Sequence, residues 1–193
     1  MIDLPEGEAL AIKEALRLSR SGDLFAAERI YDEILRSSNN PVVHCSFGYT
    51  YIDYNEFKKA MACFRRAIEL DEACAPAWGG LGRIFMDLER WDEAEAALRR
   101  RLEFGESADH YVFLAMVLLR RSKHEETIAC CERALRLDDR QVDALLNQSC
   151  AYSALGLHDK ALAACRRAIS IEPTYDDSHV CYGVVLSQAN ELE

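Results

Sequence analysis

The chain of 193 residues has little proline and little glycine, with only 4 prolines and 9 glycines. Because both residues interrupt helices, their scarcity favours long, unbroken helices. No segment reaches the roughly 18–20 consecutive apolar residues that a membrane-spanning helix requires, so we expect no membrane insertion. The first residues also lack the basic segment and apolar block of a secretion signal, and we therefore expect a cytoplasmic protein.

Positive charge is scarce relative to negative charge. Lys and Arg together number 23 against 33 Asp and Glu, and the formal net charge is −10. Because an acidic chain repels phosphate backbones, we expect no nucleic-acid partner.

The patterns of common metal, cofactor and catalytic sites are also missing. The eight cysteines include no Cys-x-x-Cys motif, and the neighbours Cys130 and Cys131 would point about 100° apart on a helix. The segment Gly79-Gly80-x-Gly82 lies inside a predicted helix rather than after a strand, so it is no phosphate-binding loop. The sequence therefore predicts no metal, no cofactor and no enzyme activity.

What the sequence does contain is an internal repeat. Small residues recur at intervals of 33 or 34 positions: Ala15, Gly48, Gly82, Ala115, Ser149 and Gly183. A second series has the same intervals: Ala27, Ala60, Ala94, Thr127 and Ala161. Two interleaved series with one period indicate a repeated structural unit.

Large or apolar residues accompany both series at fixed distances. Three positions after the first series lie Leu18, Tyr51, Phe85, Leu118, Tyr152 and Leu186. Four positions after the second series lie Tyr31, Phe64, Leu98, Cys131 and Cys165. Because spacings of three and four place side chains on one helical face, each unit is predicted to hold two amphipathic helices.

This pattern resembles the tetratricopeptide repeat, a helix–turn–helix unit of about 34 residues. The motif Trp78-x-x-Leu81-Gly82-x-x-Phe85, followed by Ala94, is similar to the family's signature. The resemblance implies an all-α fold: a right-handed superhelical solenoid of antiparallel helix pairs. We expect one array over residues 1–193. Its repeats are predicted at about 8–40, 41–74, 75–107, 108–141 and 142–175, with the first helix of a sixth at 176–189.

The last predicted helix has apolar residues on several sides, although a terminal helix of an array normally has one polar face. Either the native chain continues beyond Glu193, or a second copy covers this helix. The second explanation predicts a homo-oligomer that forms through the uncapped C-terminal helix.

The resemblance also implies that the first helix of each unit lines a concave wall. The family's inward-facing positions correspond here to Val42, Cys45, Tyr49, Ile52, Arg83, Met86, Val112, Phe113, Met116, Leu146, Asn147 and Cys150. This wall is apolar, and the segment 111–119 (YVFLAMVLL) has hardly a polar face. Since exposed apolar surface often marks an interaction site, we expect an apolar groove that binds a peptide segment of a partner protein. Gly79 and Gly80 would leave room for the ligand backbone, and Arg83 would hold a carboxylate or a carbonyl group.

The predicted function is therefore that of a protein-interaction scaffold or adaptor. Two alternatives remain open: an N-terminal targeting domain of a larger enzyme of glycosyltransferase or methyltransferase type, and an assembly or secretion chaperone that shields an apolar client. The chain could also bury the same wall against itself.

Overall fold

The computed structural model describes residues 6–190, which form eleven α-helices and no β-strand. In chain order the helices are α1 (Glu6–Arg20), α2 (Leu24–Ser37), α3 (Pro41–Asp53), α4 (Phe57–Leu70), α5 (Ala75–Asp87), α6 (Trp91–Glu103), α7 (Ala108–Arg120), α8 (His124–Leu137), α9 (Val142–Ala154), α10 (His158–Ile171) and α11 (Asp176–Asn190). The all-α fold expected from the sequence is confirmed. None of the described helices is both long and apolar enough to cross a bilayer. The two ends of the predicted array, at 1–5 and 191–193, lie outside the described residues.

Sharp turns recur with the period of the sequence. Five residues with positive φ are spaced by 33 or 34 positions: Gly22, Asn55, Glu89, Ser122 and Gly156. Gly105, after α6, has positive φ outside this series. At four turns of the series the next backbone N–H closes the helix end by donating to the carbonyl five residues earlier. The donor–acceptor distances are 3.0 Å for Asp23, 2.8 Å for Glu56, 2.9 Å for Lys123 and 2.9 Å for Leu157. Such a left-handed residue ends one helix and reverses the chain into the next.

The chain divides into two compact units, Met1–Leu88 and Glu89–Glu193. In the first unit α1 packs on α2, α3 packs on α4, and α5 contacts both α3 and α4. The core of this unit is aromatic: Tyr31, Phe47 and Phe64 are fully buried, and the ring centroids of Tyr31 and Phe47 lie 3.7 Å apart.

Phe64 packs directly against two glycines of the neighbouring helices. A Cβ atom would lie 2.6 Å from the Phe64 ring at Gly48 and 2.2 Å from it at Gly80, which is too close for either position to carry a side chain without movement. The expectation that Gly80 leaves room for a ligand backbone is therefore wrong, because the Phe64 ring occupies that space.

In the second unit α7 packs on α8, α9 packs on α10, α6 contacts α7, and α11 contacts α9 and α10. Smaller side chains fill its core. Cys131 is fully buried in a cluster with Ala115 and Ala144, and Cys165 in another with Ala161 and Val185.

The second unit also buries one charge, the carboxylate of Glu95, whose exposed fraction is 5 %. Lys123 Nζ lies 2.9 Å and Arg99 Nη2 lies 2.8 Å from its oxygens, and Arg121 also pairs with it. Burial raises the pKa of Glu95, but the hydrogen bond from Lys123 and the charges of Arg99 and Lys123 outweigh burial, so the net pKa is lowered. The ion pairs thus tie α6 to the turn between α7 and α8.

Candidate functional site

The first unit holds six of the twelve candidate residues, on α3 and α5: Val42, Cys45, Tyr49, Ile52, Arg83 and Met86. Cys45 and Ile52 have exposed fractions of only 4 % and 3 %. The predicted contact with a partner is therefore wrong for these two side chains, because they are buried in helix packing. Cys45 lies against Cys74, with the two Sγ atoms 3.4 Å apart.

The other four candidates of the first unit reach the surface to different degrees. Tyr49 is half-buried; its hydroxyl donates to the carbonyl oxygen of Pro76 at 2.8 Å and its ring packs edge-on against Phe64. Val42 and Met86 are half-buried, and Arg83 is exposed. Because its hydrogen bond to Pro76 joins the two helices, Tyr49 takes part in packing α3 against α5.

Helix α7 of the second unit carries three candidates, Val112, Phe113 and Met116. Val112 is buried and packs with Ala115 and Cys131, so the prediction that it faces a partner is wrong. The absence of a polar face on α7 has a structural cause, since α6, α8 and α9 all pack against this helix. Phe113 remains 36 % exposed and Met116 is half-buried.

The last three candidates lie on α9 and line a cavity of about 870 Å³. Leu146, Asn147 and Cys150 form one wall of this cavity, and α11 forms the opposite wall. The α11 wall includes Val180, Cys181 and Val184. We call this space the α9–α11 cavity.

The α11 side chains that line the cavity are more exposed than those on the buried side of the same helix. Val180 and Val184 have exposed fractions of 64 % and 52 %, whereas Val185 on the buried side of the same helix has 2 %. The register of first-helix positions did not include these valines, although the apolar composition of the last helix was visible in the sequence. Three residues of the cavity lining, Leu146, Asn147 and Cys150, were thus predicted as site residues, whereas the α11 valines were not.

Polar groups sit at the cavity edges. Ser153 on α9 donates to Gln188 Oε1 on α11 at 2.5 Å and so joins the two walls directly. Asp177 and Asn147 add a carboxylate and an amide, one on each wall. An amide side chain both donates and accepts hydrogen bonds, which suits it to contact a peptide backbone.

No candidate metal-binding site is found in the part of the chain that the structure describes. Residues 6–190 contain no group of three or more His, Cys, Asp or Glu side chains arranged to hold a metal ion. The glycine-rich segment lies inside α5, where the helix backbone bonds are already formed.

Two segments, 51–116 and 142–175, match family models described as tetratricopeptide repeat. Together they span more than half of the chain. The chain belongs to the tetratricopeptide-repeat family. Its membership agrees with the helix–turn–helix architecture and with the recurring left-handed turn residues described above.

Two relatives of this tetratricopeptide-repeat protein come from Schizosaccharomyces pombe. Superkiller protein 3 is 27 % identical over 168 residues, which are 83 % of this chain and 12 % of that protein. Anaphase-promoting complex subunit 3 is 24 % identical over 173 residues, which are 85 % of this chain and 26 % of that protein. The chain thus spans only a small part of the length of these relatives.

Among solved structures, YrrB is similar with a TM-score of 0.72 at 23 % identity, covering 81 % of each chain. YrrB is described as a tetratricopeptide-repeat protein with an unusual peptide-binding site. At this identity the likeness shows the fold.

Proposed function

We propose that this chain is a protein-interaction scaffold whose α9–α11 cavity binds a peptide segment of a partner protein through an apolar side chain. The observation that carries the proposal is the cavity itself, about 870 Å³ in volume, with Leu146 on one wall and the exposed Val180 and Val184 on the other. This volume falls within the roughly 300–1,000 Å³ that is typical of ligand pockets.

The family and the relatives support a protein as the partner. One relative is named as a subunit of a complex, and YrrB is described as having a peptide-binding site. For the peptide itself, Asn147 offers a donor and an acceptor to the backbone. Asp177 at the cavity edge and the net charge of −10 favour a neutral or basic peptide over an acidic one.

A displayed library of random peptides, selected on the full chain, tests this proposal. We expect enriched peptides to share a large apolar residue and to bind in fluorescence anisotropy. Val184→Asp places a charge in the apolar wall, and we expect it to weaken binding at least about tenfold. Leu137→Asp is the matched control, because Leu137 is 48 % exposed at the end of α8 and does not line the cavity.

Failure to enrich any peptide, or equal binding by wild type and Val184→Asp, would contradict the proposal. Light scattering separates a further outcome, in which α11 contacts a second copy of the chain. A dimeric mass for the wild type that becomes monomeric in Val180→Asp would assign this surface to a homo-oligomer instead of a peptide site.

A further inference from the structure

Three cysteine side chains gather where α9, α10 and α11 meet. The Sγ atoms of Cys165 and Cys181 lie 3.3 Å apart, and the thiol of Cys150 hydrogen-bonds to Cys181. Ser149 Oγ lies 3.0 Å from Cys165 Sγ on the core side of the cluster. Cys165 is fully buried, Cys181 is half-buried and Cys150 is exposed, so the cluster runs from the core to the surface.

We propose that Cys181 is an oxidation site, at which a small peroxide enters the α9–α11 cavity and Cys165 then forms a disulfide with the oxidised sulfur. This inference goes beyond the scaffold function and does not depend on peptide binding, because it concerns only the cysteines and their access to solvent.

The cavity gives a small oxidant access to Cys181. Both Cys181 and Cys150 line the cavity, whose volume of about 870 Å³ far exceeds the ~30 Å³ that a water molecule occupies in the liquid. Hydrogen peroxide is only slightly larger than water, so it reaches the Cys181 sulfur without any movement of the helices.

The neighbouring thiols favour the thiolate form of Cys181 over those of Cys150 and Cys165. Hydrogen bonds from Cys150 and Cys165 lower the pKa of Cys181, and burial opposes this effect more weakly. The same interactions raise the pKa values of Cys150 and Cys165. Because the thiolate is the reactive form, the cluster directs an oxidant to one of its three sulfurs.

The chemistry proceeds in two balanced steps. The Cys181 thiolate attacks hydrogen peroxide, the O–O bond breaks, and the products are a sulfenic acid and hydroxide, which takes up a proton to become water. The Cys165 thiol then loses its proton and attacks the sulfenic sulfur, forming the S–S bond and releasing a second water. Two thiols are oxidised and one peroxide is reduced by two electrons.

The arrangement favours Cys165 over Cys150 as the second cysteine. A nucleophile attacks sulfur from the side opposite the departing oxygen. Since the peroxide arrives from the cavity, the sulfenic oxygen points into the cavity and the attacking sulfur must lie on the core side. Cys165 lies on that side, buried with Ala161 and Val185, whereas Cys150 lines the cavity. The resulting disulfide would link α10 to α11.

The first unit supplies an internal control pair. Cys45 and Cys74 have Sγ atoms 3.4 Å apart, and the hydrogen bond from Cys45 lowers the pKa of Cys74 to about 7. Both residues are buried, with exposed fractions of 4 % and 6 %. This pair shares the close contact and the lowered pKa with Cys165–Cys181, but both of its residues are buried, whereas Cys181 lines the α9–α11 cavity.

Peroxide titration of the full chain, followed by mass spectrometry of non-reduced peptides, tests the proposal. We expect a Cys165–Cys181 link, with the Cys45–Cys74 link forming at least about tenfold more slowly. In Cys165→Ser we expect dimedone to trap a sulfenic acid at Cys181, and in Cys150→Ser we expect the Cys165–Cys181 link to form as before. Hydrogen exchange of α11 amides should slow on oxidation of the wild type.

Dimedone competition in the wild type provides the test if Cys165→Ser does not fold, and here Cys181 should be labelled before any other cysteine. Equal oxidation rates for the two pairs would overturn the role of the cavity. A Cys150–Cys181 link, or first labelling at another cysteine, would overturn the assigned residues.

Discussion

The two units fill the same repeat positions with side chains of different size. One such position lies four residues after the small residue near the start of the second helix of each repeat, such as Ala60. Here the first unit has Phe64, whose ring packs against Gly48 and Gly80. At the equivalent positions the second unit has Leu98, which is fully buried, and then two small residues. These are Cys131, packed against Ala115, and Cys165, which contacts Ser149. The first unit thus pairs a large residue with glycine, whereas these two places of the second unit pair a small residue with Ala or Ser.

This difference has chemical consequences beyond packing. In the first unit an aromatic ring fills the space between the glycines, whereas in the second unit the small residue Cys165 allows three thiols to approach each other beside a cavity. The cysteine contact of the first unit, between Cys45 and Cys74, is buried. The same repeat therefore yields a sealed thiol pair in one unit and an accessible cluster in the other.

The largest expected change in stability comes from truncating Phe64 and Cys131, which occupy equivalent positions in the two units. Phe64→Ala removes a whole ring that no neighbour can replace, and we expect a loss of about 3–5 kcal/mol of unfolding free energy. Cys131→Ala removes only one sulfur, and we expect a loss of about 1 kcal/mol. Urea denaturation, with hydrogen exchange to locate the change, measures both. Equal losses of unfolding free energy in the two variants would contradict the difference in packing between the units.

The buried charge gives a second contrast between the units. Among the described residues of the first unit no Asp or Glu is as buried as Glu95 of the second unit, which is paired with Arg99, Arg121 and Lys123. We expect Glu95→Gln to cost about 2 kcal/mol at neutral pH, because the charged hydrogen bonds are lost and the three cations remain.

The pH dependence of this loss follows from the lowered pKa of Glu95. A carboxyl whose pKa is lower in the folded state stabilises the fold above its unfolded pKa of about 4.3, and this stabilisation is lost as the pH falls through the lower folded value. The difference between wild type and Glu95→Gln should therefore stay constant from about pH 6 to 8 and shrink below about pH 4. A difference that grows in acid would contradict this assignment of the ion pairs.

Gly→Ala substitutions should lower the free energy of unfolding at one position in the first unit and raise it at one position in the second. Gly80→Ala drives a Cβ into the buried Phe64 ring, and we expect a net loss of about 1–2 kcal/mol even after the better helix propensity of Ala. Gly183→Ala is the matched control on α11, where apart from the adjoining helix backbone no atom lies within 4 Å of the new Cβ, and we expect a gain of about 0.5–1 kcal/mol. Thermal melts of the two variants measure both signs. Restoration of stability in Gly80→Ala by Phe64→Leu would locate the clash.

The smallest expected effect concerns the left-handed turn residues. Ser122 has φ 56° in the second unit and Asn55 has φ 58° in the first. Because glycine adopts this conformation without steric cost and Asn tolerates it better than Ser, we expect Ser122→Gly to stabilise by about 0.5–1 kcal/mol and Asn55→Gly by less. Chemical denaturation of both variants checks the order, and a larger gain at Asn55 would reverse it.

Sequence spacing predicted the fold well and the candidate site only in part. The period of 33 or 34 residues predicted the helices and their small contact positions, because spacings of three and four are a property of any α-helix. The same register assigned Cys45, Ile52 and Val112 to a partner-facing wall, yet all three are buried. It also omitted Val180 and Val184, which were assigned to no wall.

By itself, the sequence determined which residues share a helical face and where the chain turns, since both depend on neighbours within a few positions. Only the tertiary structure decided which faces are covered, which thiols touch, and where a cavity remains. Cys165 and Cys181 are 16 positions apart on different helices, and the 3.3 Å between their sulfurs depends on how those helices pack. That packing reflects the summed volumes of side chains from several helices, which no local spacing records.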